Sequence, residues 1–421
     1  MIIAVAFAVL LLLGIPISMV VLGASTLGII LYSSTPLQIV VQQLFSGLNN
    51  YILLAIPFFI ISGSIAAKGS TAKYLTNVMT IVFGRLRGGS VIATIAACAF
   101  FAAISGSSVA TIVAIGTIII PDLLKSKYPE SMAIGTVTAG GSIGVLIPPS
   151  APMIALCVAF SASVGQMFIG GIMPGMLLAL AWSVFVFFVC KRKNLGETVK
   201  YGGREAAGIV MKAIPALIYP VIVLGSIYGG LATPTEAACI SIVYIVIVEL
   251  FIYKTTTLRQ IFIIMKAGII NAATITFIIS CSQVLTWLIT TRQIPGAISR
   301  WIVSTVSSQS AFLMLVIVIF FVAGCFMELV SLMVILGPIL SPTLGAYGIS
   351  PVHFGIICIM AAQVSYISPP FGLNLFVSMN MNKKGLWEVA RASLPYLLIL
   401  IAVMLLVVFI PEISLWLPGR M

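Results

Sequence analysis

Four short stretches of this 421-residue chain gather hydroxyls, an amide, a carboxylate and bare backbone within otherwise apolar sequence. The first is Ser105-Gly106-Ser107-Ser108 and the second runs from Gly144 to Pro148-Pro149-Ser150. The third is Gly324-Cys325-Phe326-Met327-Glu328, and the fourth runs from Ser365 through Ser368-Pro369-Pro370-Phe371-Gly372 to Asn374. Small residues let backbone approach an ion, while hydroxyls and an amide add oxygen ligands. A Pro-Pro pair removes two backbone donors and disfavours helix at the residue before it. Where a helix breaks, a half-helix N-terminus favours an anion and exposed carbonyls favour a small cation. Oxygen-only ligation of this kind suits Na⁺ or H⁺, and no transition-metal site is expected. The spacing points to a first cation site, for Na⁺ or H⁺, built from Ser105, Gly106, Ser107, Ser108, Gly144 and Pro148. A second would use Gly324, Glu328, Ser368, Pro369 and Gly372, with Ser150, Ser365 and Asn374 placed to hold a substrate.

Few other groups could do chemistry. An intramembrane carboxylate is costly and usually functional, so Glu328 is expected to ligate a cation, relay a proton, or bond the free N–H groups of the half-helix after it. Glu236, in Thr233-Pro234-Thr235-Glu236, fits a helix start with Thr235 as its cap. His353 is the single histidine and is read as structural, with proton coupling the alternative. The seven cysteines are scattered without metal-ligand spacing and behave as small buried hydrophobes. A lone histidine, no second acid near Glu328 and no Cys/His grouping argue against an intramembrane enzyme.

These residues must be carried by membrane helices. The chain is 61% hydrophobic and 7% charged, with a mean hydropathy of +1.25, whereas soluble domains carry roughly 25% charge. No Lys, Arg, Asp or Glu occurs over residues 1–67, 131–190 or 329–382. Spans are expected near 2–32, 51–67, 131–160, 166–189, 213–231, 236–253, 268–291, 352–381 and 393–416. The net charge of +12 is gathered in short clusters between apolar runs, as in cytoplasmic loops facing membrane lipid, so no nucleic-acid partner is implied. Residues 90–121 and 311–342 are split at Ser105–Ser108 and Cys325–Glu328, and each reads as a re-entrant helical hairpin. The Pro-Pro pairs break helices 131–160 and 352–381 near mid-membrane, which is tolerated where backbone is buried or lines a cavity.

These features repeat at one offset. Phe100, Ala102, Gly116, Pro121, Pro148 and Pro149 have the same residue type 221 positions later, at Phe321, Ala323, Gly337, Pro342, Pro369 and Pro370. The first hairpin is flanked by Arg85, Arg87, Lys125 and Lys127, whereas no Lys or Arg lies between Trp301 and Asn382. By the positive-inside rule the two hairpins enter from opposite faces, so the repeats are inverted. All of the 21 basic residues except Arg292, Arg300 and Arg420 then lie inside. The expected architecture is an all-α polytopic membrane protein. Residues 1–190 form the first repeat, 191–235 a cytoplasmic linker with an extra helix, and 236–421 the second repeat.

Four pieces carry a family resemblance across essentially the whole chain: AFFAAISGSSVATIVAIG (Ala99–Gly116), GVLIPPS (Gly144–Ser150), TPTEAA (Thr233–Ala238) and PVHFGII…ISPPFGLNLFV (Pro351–Val377). In this order they resemble the large membrane subunit of tripartite ATP-independent periplasmic (TRAP) transporters. The resemblance implies a multi-pass protein of the bacterial inner membrane that imports organic acids such as sialic acid or C4-dicarboxylates, coupled to two or more Na⁺. It also implies a small four-helix membrane subunit, a periplasmic substrate-binding protein, and an elevator mechanism. Glu328 stands where the family often has Asp, and Ala361 and Ser365 stand where Asn and Gly are common, with Gln363 nearby. A self-sufficient dicarboxylate–sodium symporter of similar architecture is the neighbouring alternative.

Overall fold

The computed structural model describes residues 2–196 and 201–420, and every regular element among them is helical. In a bilayer, backbone N–H and C=O groups must bond within their own segment, and apolar runs therefore wind into helices. The run 2–32, expected as one helix, is two: α1 (Ile2–Leu12) and α2 (Ile17–Tyr32). Gly14 takes a φ of +73° and Pro16 follows two residues later, which ends one helix and starts the next. After α3 (Gln38–Leu48), a 3₁₀ turn at Tyr51–Leu54 leads into α4 (Ala55–Lys68) and α5 (Thr71–Phe83). The first hairpin is α6 (Gly89–Ser105) and α7 (Ser108–Lys125). The first broken helix is α8 (Glu130–Leu146) and α9 (Ala151–Phe160), followed by α10 (Val164–Lys193). Of the linker expected after residue 190, residues 197–200 lie outside the described residues.

The chain resumes with α11 (Gly203–Tyr228) and α12 (Pro234–Ile247), which ends in a π-helical turn over Val248–Ile252. The cap of α12 is Thr233, not the expected Thr235. Thr233 and Glu236 form a reciprocal capping box because Pro234 takes the first helical position, and the Thr235 hydroxyl donates instead to the Tyr51 carbonyl at 3.1 Å. α13 (Leu258–Thr291) starts ten residues before the expected span, since Thr257 and Gln260 make another capping box. After α14 (Ile294–Thr305), the second hairpin is α15 (Gln309–Gly324) and α16 (Leu329–Tyr347). The second broken helix is α17 (Pro351–Ile367) and α18 (Leu373–Asn382), and α19 (Leu386–Phe409) and α20 (Glu412–Leu415) close the chain. Among the described residues, nine helices are long and apolar enough to cross a membrane.

The two halves interleave. α8 lies against α6, α7 and α19, and α18 from the second half packs on α7 and α8 from the first, as α16 packs on α9. Gly135 of α8 sits so close to the Ala392 carbonyl of α19 that a Cβ has no room there. Trp182 of α10, fully buried, donates its indole N–H to the Tyr396 carbonyl at 3.0 Å, and the Tyr396 hydroxyl lies 2.6 Å from Thr136 Oγ1. A second group of helices, α2, α3, α4 and α12 with the long α13, packs together beside this unit and meets it where α13 crosses α16 and α4 crosses α6, α7 and α9.

Candidate functional site

Each hairpin tip is held on a helix break by missing side chains. At the first tip, α6 ends at Ser105 and Gly106 turns the chain with φ +57°. The carbonyl of Pro149 lies directly over Gly106, where any Cβ would collide with it. On the other side, a Cβ on Gly63 of α4 would come within 2.7 Å of the Ser105 Cα. A Cβ on Gly144 would lie 2.7 Å from Thr111 Oγ1 and 2.8 Å from the Ser107 carbonyl oxygen. Three glycines thus let four backbone segments meet at one point.

The oxygens gathered there are specific. Ser105 Oγ lies 3.0 Å from Thr111 Oγ1, and the Thr111 hydroxyl donates to the Ser107 carbonyl at 2.8 Å. Ser107 caps α7, its Oγ accepting from the Ala110 N–H at 3.4 Å. Ser105, Ser108, Ser150 and Thr111 are all buried, and the Ser150 hydroxyl has no hydrogen-bond partner among the described residues. Pro148 is buried in the same break, and the peptide bond that joins it to Pro149 is cis, as is that between Pro369 and Pro370. A desolvated cluster of hydroxyl and carbonyl oxygens suits a small hard cation. Thr111 is absent from the sequence reading; its signal is position, one turn after Ser107, where its hydroxyl faces back to the tip.

Asn374 stands elsewhere than expected. The sequence places it with the second tip, but its amide reaches the first. Ser108 Oγ donates to Asn374 Oδ1 at 2.6 Å, and Asn374 Nδ2 donates to Ser142 Oγ at 3.2 Å and to the Thr138 carbonyl at 3.4 Å. The packing of α18 on α7 and α8 brings it there, a long-range contact with no trace in local sequence.

At the second tip, Glu328 caps α16: one carboxylate oxygen accepts from the N–H groups of Val330 at 3.0 Å and Ser331 at 3.4 Å. The Leu329 N–H donates to the Tyr366 hydroxyl at 2.8 Å, which fastens the tip to α17. A Cβ on Gly324 would collide with the Ser365 hydroxyl, and one on Gly372 would lie 2.6 Å and 2.8 Å from the Tyr366 and Ser368 carbonyl oxygens. Gly324, Ser365, Ser368 and Gly372 therefore come together as expected from their spacing, with Tyr366 as an unforeseen member. The hydroxyls of Ser365 and Ser368 donate to their own helix, at the Ala362 and Val364 carbonyls. Gln363, next to them in sequence and buried, has neither amide atom bonded among the described residues.

The two sites differ in access. Ser105, Gly106, Ser108 and Ser150 of the first are buried, whereas Glu328, Pro370 and Phe371 of the second are exposed. Phe326 and Phe371, from tip and break, contact each other with ring centroids 5.5 Å apart. His353, in the first turn of α17, is buried with Nδ1 2.7 Å from Ser414 Oγ of α20. Glu249 is a further carboxylate without counterpart in the sequence reading. Fully buried in the π-turn, it accepts from the N–H groups of Ser70 and Thr71, each at 3.0 Å, and from the hydroxyls of Thr71 at 2.6 Å and Thr255 at 3.0 Å. Its isolation within an apolar helix is the signal that could have found it.

Comparison with known proteins places this arrangement among others. Residues 4–413 match the family described as tripartite ATP-independent periplasmic transporter, DctM component. The C4-dicarboxylate TRAP transporter large permease protein of Pseudomonas aeruginosa is 38% identical over 400 residues, 94% of this chain and 93% of that one. The isethionate TRAP transporter permease protein DctMQ of Oleidesulfovibrio alaskensis is 34% identical over 416 residues, covering 98% of this chain and 65% of that one. The crystal structure of the Alcanivorax borkumensis YdaH transporter, described as having an unusual topology, superposes with a TM-score of 0.64 at 12% identity, over 91% of this chain and 88% of that one. That last likeness is one of fold alone.

Proposed function

The chain belongs to the tripartite ATP-independent periplasmic transporter family as its DctM component, and from this premise we propose that it is the membrane engine of a sodium-coupled importer of C4-dicarboxylates. It is a transport permease for organic acids and a multi-pass protein of the bacterial inner membrane, not an enzyme. The observation that carries the coupling is the oxygen cluster at the first tip, Ser105 Oγ, Thr111 Oγ1 and the Ser107 carbonyl, buried where four backbone segments converge. Na⁺ there replaces its lost hydration with hydroxyls and carbonyls. At the second tip the Glu328 carboxylate and the carbonyls packed on Gly372 are the corresponding ligands.

No Lys or Arg lies in either tip or break. A substrate carboxylate is therefore held by bound Na⁺, the free Ser150 hydroxyl and the N–H groups at the starts of α9 and α18. Neutralising each carboxylate with Na⁺ before it enters an apolar interior is the physical basis of coupling. For the elevator step, the hairpins and broken helices with α10 and α19 move as one body against α2–α4, α12 and α13. A cavity of about 230 Å³ between these groups, lined by Ala155, Ala159, Gln283, Thr286 and Pro338, supports that division.

A periplasmic binding protein and a small membrane subunit complete the importer. A partner shifts a conformational equilibrium only through unequal affinity for its states, so docking of the loaded binding protein must favour the outward-open state. The test is uptake by proteoliposomes holding all three components, with a panel of acids and a Na⁺ or H⁺ gradient. C4-dicarboxylate uptake that needs Na⁺ and all three components is expected. Uptake driven by H⁺ alone would remove the sodium reading, preference for sialic acid would change the substrate, and robust uptake by the isolated chain would favour the self-sufficient symporter.

A further inference from the structure

A cavity of about 560 Å³ opens at the Lys- and Arg-rich end of the molecule, far in sequence from both tips. The start of α8, the last turns of α10 and the first turns of α19 form its walls. Its floor is apolar, with Met132, Phe185, Val189 and Pro395. Its rim is charged, with Glu130, Lys193, Lys384, Glu388 and Arg391. One residue satisfies both carboxylates: Lys384 Nζ is 2.9 Å from Glu130 and 4.0 Å from Glu388. Lys193 and Arg391 are left without a carboxylate partner among the described residues, so the rim carries one net positive charge beside an apolar hollow.

The level of the mouth is marked by Trp387 on the first turn of α19 and Phe188 near the end of α10, which are 65% and 62% exposed. Trp is favoured where hydrocarbon meets headgroups, and α10 ends one turn later in Lys191-Arg192-Lys193. We propose that this cavity seats one anionic phospholipid, its phosphate between Lys193 and Arg391 and an acyl chain over the Phe185 and Val189 floor. A guanidinium binds phosphate oxygens as a fork and an ammonium as a point charge, and basic hollows between helices at the cytoplasmic side take anionic headgroups. Free phosphate satisfies the rim and leaves the floor wet; a zwitterionic lipid covers the floor and brings its own cation to the rim. Only an anionic lipid matches both. The site is independent of the ion-coupled reading.

Native mass spectrometry and thermal unfolding of the purified full chain test it, with phosphatidylglycerol, phosphatidylcholine and inorganic phosphate as probes. Phosphatidylglycerol is expected to stay bound through delipidation and to raise the unfolding temperature by several degrees, with little effect from the other two. Lys193→Gln with Arg391→Gln should weaken phosphatidylglycerol binding about tenfold, and Val189→Trp, which fills the floor without changing charge, should do the same. Arg85→Gln with Arg87→Gln, exposed at the same end but outside the cavity, should leave binding unchanged. Equal loss in that control pair, equal retention of phosphatidylcholine, or displacement by phosphate would each overturn the proposal.

Discussion

A single hydroxyl decides little in water but a great deal in a dry cluster. Ser105 Oγ is buried beside Thr111 Oγ1 and the Ser107 carbonyl, and if the cluster holds Na⁺ as proposed, removing one ligand costs about 1–3 kcal/mol. Ser105→Ala should raise the Na⁺ concentration for half-maximal uptake by roughly five- to 150-fold, measured with the full three-component importer. Unchanged Na⁺ dependence would place the ion elsewhere. Glu328 poses a different question, because its carboxylate caps α16 at the second tip. Glu328→Gln keeps an acceptor for the Val330 N–H and loses the charge. If the charge ligates a cation, Na⁺ affinity falls about tenfold while the unfolding temperature stays within a few degrees. A fall in stability alone would reduce Glu328 to a cap.

Helices in this molecule are tied to one another by polar groups that local sequence does not pair. Glu249 is the sharpest case: four donors, three of them from Ser70 and Thr71 at the start of α5, converge on one buried carboxylate. Gly69 leaves the room for it, since a Cβ there would overlap the carboxylate. Glu249→Gln replaces one acceptor oxygen with an NH₂ aimed at donors, a loss of roughly 2–3 kcal/mol for bonds to a charged group. The expected readout is a clear drop in unfolding temperature, with the Na⁺ dependence of residual uptake unchanged; a stable variant would show that α5 is held by packing alone. Gly106 links two other elements. Gly106→Ala requires left-handed backbone of an L-residue, about 1–2 kcal/mol, and drives a methyl into the Pro149 carbonyl. It should abolish uptake more fully than Ser105→Ala, because it parts the tip from the break.

Across the whole molecule the paired hairpins matter only if they enter from opposite sides. Ser126 follows the first hairpin and Ala346 closes the second, and both are accessible. Single cysteines there should react with a membrane-impermeant thiol reagent from the cytoplasm and the periplasm respectively, with the parent chain as blank. Labelling of both from one side would end the inverted arrangement. Gly348, the neighbouring exposed position, is a poorer probe because its φ of +65° resists a side chain.

What the residues determine by themselves is whatever local chemistry can enforce. Long uncharged runs force helices because unpaired backbone is too costly in lipid, and the helices end at Ser105–Ser108 and at both Pro-Pro pairs, although Ser62-Gly63-Ser64 runs unbroken through α4. The tips, the breaks and their repetition from Pro148 to Pro369 are therefore legible without coordinates. So is the convergence of Gly106 with the first break and of Gly324 with the second, because matched repeats imply matched packing. Partners across the fold are not legible in this way. Asn374 belongs by position to the second break and by contact to Ser108 of the first tip, since α18 crosses onto α7 and α8. Glu249 reads as a stray carboxylate until α5 is brought to it, and Thr111 and Tyr366 read as ordinary helix residues until a tip folds over them. Such pairings follow from which helices lie side by side, which burial of the interleaved halves decides collectively and no single segment encodes.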